Sequence, residues 1–402
     1  MQILSNYWKK RSREEIEAVL WYFDAFPKGR RHQKKYLAES LVDFLESEPE
    51  KWLSQLPEAD LRLLSKLVAN GPSEAGVAVS PPLYPLVTEY LHIVSNDGDM
   101  NGYAMYSLPE AVYHVIAGKV DDVIRRMEKD GSFTLEHLLL GVVNYYGVVT
   151  LRFFLDCVFP ASGDESGLQD FSSILANHPA MRLYREFHKD EIYMVSPFVR
   201  DVPSLLDRRK TLSKGLRRFA KANRYEFEDC GTGSPYCSSG KSLKAYADLT
   251  DYFRGLGFDE ETIDYTMNVI WLTAQSEPGE DTFDAMMAPL VANTDVIPDL
   301  ESFLEGAERI VTYANLVPRW LLKGHGALET GRLLYTVPEN FGAGLFDEDE
   351  TLSAESAKQI LDDALLDRVY GMLGLVRPVD PDEPCPCGSR LSYRLCHGKV
   401  VS

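Results

Sequence analysis

The chain has 402 residues, 45% hydrophobic and 26% charged, and its 61 acidic against 42 basic side chains give a net charge of −19. That length and apolar content suit two or three packed domains, while the charge on average repels nucleic acid and anionic membrane. No signal peptide is expected, the longest uncharged apolar run (Leu138 to Leu151) is too short to span a bilayer, and six cysteines in this length make no disulfide scaffold.

In chain order, Ser12-x-x-Glu15 predicts a capping box, followed by Ile16, Val19, Leu20 and Phe23 at helical spacing. A second helix carries Leu37, Leu41, Phe44 and Leu45, and a third opens at Pro57 and stops before Gly71. Leu83 to Tyr90 reads as a helix leading into a hairpin near 91–107, whose turn-rich hexad is Asp97 to Gly102. The pattern recurs: a strongly apolar helix from Thr134 to Tyr145, a break at Gly147, helices over Thr150–Val158 and Gln169–Ala176, then a hairpin from Arg182 to Val195. Helices followed by a hairpin, twice, is the order of a winged-helix unit; two small α+β subdomains with no nucleic-acid role satisfy it equally.

Beyond Asp201 the pattern predicts helices alone: about Asp207–Asn223, Leu243–Phe253, Asp259–Gln275, Thr282–Val291, Asp299–Ala314 and Leu352–Tyr370, with Asp259 and Asp299 as N-caps. Pro- and acid-rich Val376 to Pro384 reads as a linker. The expected architecture is therefore mainly α and multi-domain: 1–122 and 123–200 as two small, possible winged-helix-like α+β subdomains, 201–375 as an all-helical domain, 376–384 as linker and 385–402 as a zinc knuckle.

The end of the chain reads Pro384-Cys385-Pro386-Cys387-Gly388-Ser389, then Tyr393, Cys396, His397 and Gly398, a C-x-C-x8-C-H array. Three thiols and an imidazole in tetrahedral reach suit a structural zinc with no position left open for chemistry. The run resembles the SEC-C motif, the zinc knuckle at the C-terminus of the bacterial preprotein-translocase ATPase SecA, found also as a tail on many unrelated bacterial proteins. The resemblance implies zinc held by Cys385, Cys387, Cys396 and His397, and docking to a chaperone, the ribosome or anionic lipid through a basic face. The motif's usual Gly-Lys-Lys is replaced here at Arg390, Leu391 and Ser392, which dilutes that face and leaves the partner open. Thiolates that must stay reduced suggest a cytoplasmic home.

Two basic islands interrupt the acidic chain, Lys9–Lys35 and Arg200–Arg224. Within the second, Lys210, Lys214, Arg217, Arg218 and Lys221 would share one face of a continuous helix, flanked by Arg208, Arg209 and Arg224. Such a row can track phosphates or pair with the protein's own acidic surface. Other motifs carry less. Ser239-Gly240-Lys241-Ser242 is no P-loop, because Pro235 stands where a glycine is required. Cys230 and Cys237 are read as free thiols in a turn, and histidines 32, 92, 114, 137, 178, 188 and 325 fall in no catalytic motif. The functional expectation is a non-enzymatic macromolecule-binding adaptor, associated with nucleic acid or the ribosome. The alternatives are a protein–protein adaptor linked to chaperones or translocation, and an enzyme whose site the sequence does not disclose.

Overall fold

Ser12 accepts a hydrogen bond from the Glu15 N–H (3.1 Å) while the Glu15 carboxylate takes the Ser12 N–H, so the helix after them starts where its capping box requires. This computed structural model describes residues 2–28, 33–72, 77–79, 87–100, 103–163, 184–231, 242–342 and 345, with backbone alone at 2, 77–79, 97–100 and 103–104. Its contacts divide the chain into Met1–Phe346 and Asp347–Ser402, and every described residue lies in the first. The expected helices over Gln169–Ala176 and Leu352–Tyr370, the linker and the knuckle lie outside the described residues.

The described part is mainly α. In order come α1 (Gln2–Lys9), α2 (Arg13–Tyr22), α3 (Lys34–Ser47), α4 (Pro49–Leu53), α5 (Glu58–Asn70), β1 (Val77–Val79), α6 (Val87–Tyr90), β2 (Ser95–Met100), β3 (Tyr103–Ser107), α7 (Glu110–Ile116), α8 (Val120–Asp130) and α9 (Ser132–Tyr146). There follow β4 (Val148–Thr150), α10 (Leu151–Ser162), β5 (Arg185–His188), β6 (Glu191–Val195), α11 (Val202–Leu212), α12 (Arg224–Gly231), α13 (Leu243–Gly255), α14 (Glu260–Ala274), α15 (Glu280–Val291) and α16 (Leu300–Leu316). Asp259 and Asp299 cap α14 and α16 through 2.8 Å bonds from the N–H groups of Thr262 and Ser302, and Gly71 ends α5 at φ 80°.

Both expected hairpins form, and each acquires a third strand from upstream. The orders are β1-β3-β2 and β4-β6-β5, all antiparallel, so in each sheet the earliest strand pairs with the latest. The second hairpin turns through Lys189 and Asp190, both at positive φ (48° and 63°), the conformation that matches the strands' right-handed twist.

Among the described residues there are four apolar clusters, three large and a small fourth of Val148, Val195 and Val202. Trp8, Leu20, Leu41, Trp52 and Leu64 centre the first, over residues 4–133; Phe253, Trp271, Phe303 and Tyr313 centre the last large one, over 245–335. Between them, α9, α10, β6 and α12 enclose Tyr146, Phe154 and Val158. Each such side chain contributes about 1.5–3 kcal/mol when buried. The nearly unbroken apolar run of α9 now has its reason: from Leu138 to Tyr146 every residue is buried, so the helix has no solvent face to mark with polar residues.

Helices α9 and α12 cross backbone against backbone. A Cβ on Gly141 would lie 1.6 Å from the Phe227 carbonyl oxygen, and one on Gly231 would lie 1.7 Å from that of His137. Asn144, one turn beyond Gly141, donates to the Cys230 carbonyl (2.8 Å) and accepts from the Ser196 hydroxyl (2.8 Å), tying the crossing to the end of β6.

Candidate functional site

The basic island does not form one helix. Helix α11 ends at Leu212, Ser213 caps it with an N–H bond to Arg209 (2.8 Å), and Gly215 takes φ +95°, which no helix accommodates. Residues 213–223 then run irregularly to α12. The helical face expected for Lys210, Lys214, Arg217, Arg218 and Lys221 is therefore replaced by cations on an irregular strip.

Arg209 leaves the candidate set altogether. It is buried, and its guanidinium donates to three carbonyls: Trp320 (2.7 Å from Nε), Val148 (2.7 Å from Nη1) and Tyr146 (2.5 Å from Nη2). Burial lowers its pKa to about 10. The bonds tie together the end of α9, the start of β4 and the start of the turn at Trp320–Leu322, which is an architectural role. Three other expected residues are exposed but paired: Arg208 with Glu277 (3.4 Å), Lys210 with Asp207 (2.8 Å) and Arg224 with Glu228 (2.6 Å).

Lys214, Arg217, Arg218 and Lys221 are exposed and make no ion pair among the described residues. Their strip is fixed by its backbone. Arg332 donates to the carbonyls of Leu212 and Lys214, the latter at 3.1 Å, and the Lys323 ammonium donates to Leu216 (2.7 Å). His325 Nε2 donates to Arg218 (3.2 Å), Tyr146 to Ala220 (2.8 Å), and the Ala220 N–H to Lys323 (2.9 Å). The main chain is thus bonded to the body while the four cationic side chains remain exposed.

Beside the strip, against α10, lies an open groove of about 880 Å³. Phe153 and Phe219 pack together in its lining at a 34° tilt, with centroids 4.4 Å apart, and Arg218, Lys221 and Arg224 stand on its walls with a single acid, Asp156. Cys157 also lines it; burial and the Asp156 charge push that thiol up to about 12, so it stays protonated and unreactive at neutral pH. The aromatic component was invisible in sequence, because Phe153 lies far from the basic island along the chain.

Cys230 departs from its expected free thiol: it is disulfide-bonded, its partner lying outside the described residues. His92 and His137, read as isolated, pair with Glu15 (3.0 Å) and Glu58 (2.5 Å). Among the described residues no group of three or more His, Cys, Asp or Glu is placed to hold a metal, and no helix is long and apolar enough to cross a membrane.

Compared with known families, residues 383–399 match the SEC-C motif. The match contains Cys385, Cys387, Cys396 and His397 and leaves the rest of the chain unrecognised. No curated protein and no solved structure matches the chain.

Proposed function

We propose that the protein is a non-enzymatic adaptor that holds a nucleic-acid phosphate backbone along Lys214, Arg217, Arg218 and Lys221 and carries a zinc knuckle as a docking tail. The observation behind this reading is that four exposed cations make no ion pair among the described residues, in a chain of net charge −19. Cations meant only to satisfy the protein's own acids would sit against them, as Arg208, Lys210 and Arg224 do. A strip pinned by its backbone loses little conformational freedom when phosphates dock, and phenyl rings beside it offer unpaired bases a stacking surface. The strand orders β1-β3-β2 and β4-β6-β5 are those of winged-helix sheets, and the second adjoins the groove through α10, which supports the same class of partner.

Oligonucleotide binding should weaken with salt, with a log–log slope of about −3 for a four-phosphate contact. Arg217→Glu with Arg218→Glu should abolish it. Binding that ignores both salt and charge reversal would remove the nucleic-acid reading.

A second reading, a chaperone- or translocation-linked protein adaptor, is favoured by the SEC-C match. Cys385, Cys387, Cys396 and His397 form a closed three-sulfur, one-nitrogen donor set, suited to a structural zinc that folds a segment too small to hold itself together. Elemental analysis should find one zinc per chain, lost in Cys396→Ser. Affinity purification of both forms separates the readings: protein partners lost with the zinc belong to the tail, while nucleic acid retained without it belongs to the strip. Reduced thiolates suit the cytoplasm, where a disulfide at Cys230 is uncommon.

A further inference from the structure

On the inner side of the strip, a cavity of about 190 Å³, the room of about six waters, lies between α9, α12 and the loop that follows α16. Tyr145, Lys221, Glu226, Ser242, His325 and Glu329 bring phenol, ammonium, hydroxyl, imidazole and two carboxylates to one small space. Of these, only Lys221 also belongs to the cationic strip.

Tyr145 is the informative group. Its ring is 6% exposed and clamped edge-on against Tyr146 (4.9 Å) and Phe227 (5.7 Å), yet its hydroxyl makes no hydrogen bond among the described residues. A phenol that lines a cavity, with its ring buried and no hydrogen-bond partner for its hydroxyl among the described residues, can take one from a ligand. Burial raises its pKa, and the charges of Glu226 and Glu329 raise it further, so both carboxylates lie within electrostatic reach of that oxygen. One Glu226 oxygen accepts from the Asn223 N–H (2.8 Å); the other has no partner among the described residues.

Phenol oxygen and carboxylates together form an acceptor pole. Lys221, without an ion pair among the described residues, supplies a cationic pole on the same cavity. His325 does not complete a catalytic set: Nε2 donates to the Arg218 carbonyl, and Nδ1 faces Glu329 at 3.7 Å. An adjacent ammonium also disfavours a metal cation. A small ligand carrying one positive and one negative charge meets both poles, and a neutral polyol or a simple anion does not.

We propose that this cavity binds a small free α-amino acid, with its ammonium between Tyr145 and Glu226 and its carboxylate toward Lys221. Recognition of the amine leaves neither the Tyr145 hydroxyl nor the second Glu226 oxygen unpaired. The walls belong to the strip on one side and the 324–329 loop on the other, so an occupant would bridge them.

The test is calorimetric titration of the full chain with the standard L-amino acids, with ethylamine and propionate as the amine-only and acid-only halves of alanine. A small amino acid should bind at one site per chain, with each half at least about tenfold weaker. Tyr145→Phe keeps the ring packing and the fold; it should leave the melting temperature unchanged and weaken binding about tenfold. Glu226→Gln should weaken it as much or more. The proposal is overturned if no amino acid binds at millimolar concentration, or if Tyr145→Phe binds as well as the parent. Ethylamine binding as tightly as alanine would also overturn it, leaving a plain cation site. These readouts contain no nucleic acid, so failure of the nucleic-acid reading leaves them standing, and the converse.

Discussion

The two small sheets share a strand order, but the helices beside them are fastened by different buried groups, carboxyls at the first and a guanidinium at the second. Beside the first, Asp60 is buried in α5 and accepts both the N–H and the hydroxyl of Thr88 (2.6 Å each), joining α5 to α6 ahead of the hairpin. Nearby, buried Glu136 reaches from α9 to accept the Glu58 N–H (3.1 and 3.3 Å), capping α5 from outside. Beside the second sheet, Arg209 donates to three carbonyls. The carboxylates titrate in the ordinary pH range and the guanidinium does not. One junction is therefore pH-sensitive and the other is fixed.

The largest effect should follow from removing the fixed fastener. Arg209→Met removes three hydrogen bonds to buried residues' carbonyls, of which that of Trp320 keeps another donor (the Lys323 N–H, 3.3 Å), and should cost roughly 3–5 kcal/mol in urea denaturation. Arg209→Lys should rescue little, since one ammonium cannot reproduce the planar fork. A small loss in Arg209→Met would show that the two junctions do not differ as described.

The titrating junction predicts a pH profile. Burial, with the charges of Glu58 and Asp60 adding to it, pushes Glu136 up from 4.5 to about 8 against the pull of the Glu58 N–H. The folded state then holds its proton more tightly than the unfolded state. The stability this contributes is full below pH 4.5 and is lost as pH rises through about 8. The fall should be roughly 2–4 kcal/mol, and Glu136→Gln should flatten it. Asp60, pushed up to about 6 by burial against the Thr88 bonds, should add a smaller decline between pH 3.8 and about 6. Asp60→Asn should cost about 1–2 kcal/mol and remove that portion. Glu58 moves the other way: burial raises it, but His137 and Arg62 outweigh burial and leave it lowered. Hydrogen exchange in α5 and α9 should therefore quicken at alkaline pH, while exchange around β4 stays level. Smallest of all, Arg217→Glu with Arg218→Glu should change stability by no more than about 0.5 kcal/mol, both side chains being exposed and without an ion pair among the described residues.

Features set by local chemistry were legible in the sequence. The Ser12 capping box, the Asp259 and Asp299 caps, the Gly71 and Gly147 stops and both hairpins needed only neighbouring residues to be read. What failed depended on distant partners. The spacing of Lys210, Lys214, Arg217 and Lys221 is helical, but Gly215 and the bonds from Tyr146, Lys323, His325 and Arg332 draw the segment out of a helix. Arg209 looked like its neighbours because no local signal marks a cation that will meet three carbonyls from elsewhere. The third strands β1 and β4 are three residues each, too short for an alternating pattern to announce them. Tyr145, Glu226, His325 and Glu329 converge from three stretches of chain, and only the fold brings them together.

The glycine crossing of α9 and α12 bears on how this surface can change. The cationic strip runs straight into α12, so the separation of the two helices sets where Arg218 and Lys221 stand above the body. Gly141 and Gly231 leave that separation no slack, because even one methyl meets a carbonyl oxygen. Gly141→Ala should therefore lift the strip without altering one of its charges. Such a variant divides charge from position: an oligonucleotide that recognises only the local density of cations should bind it as before, and one that reads their spacing should not.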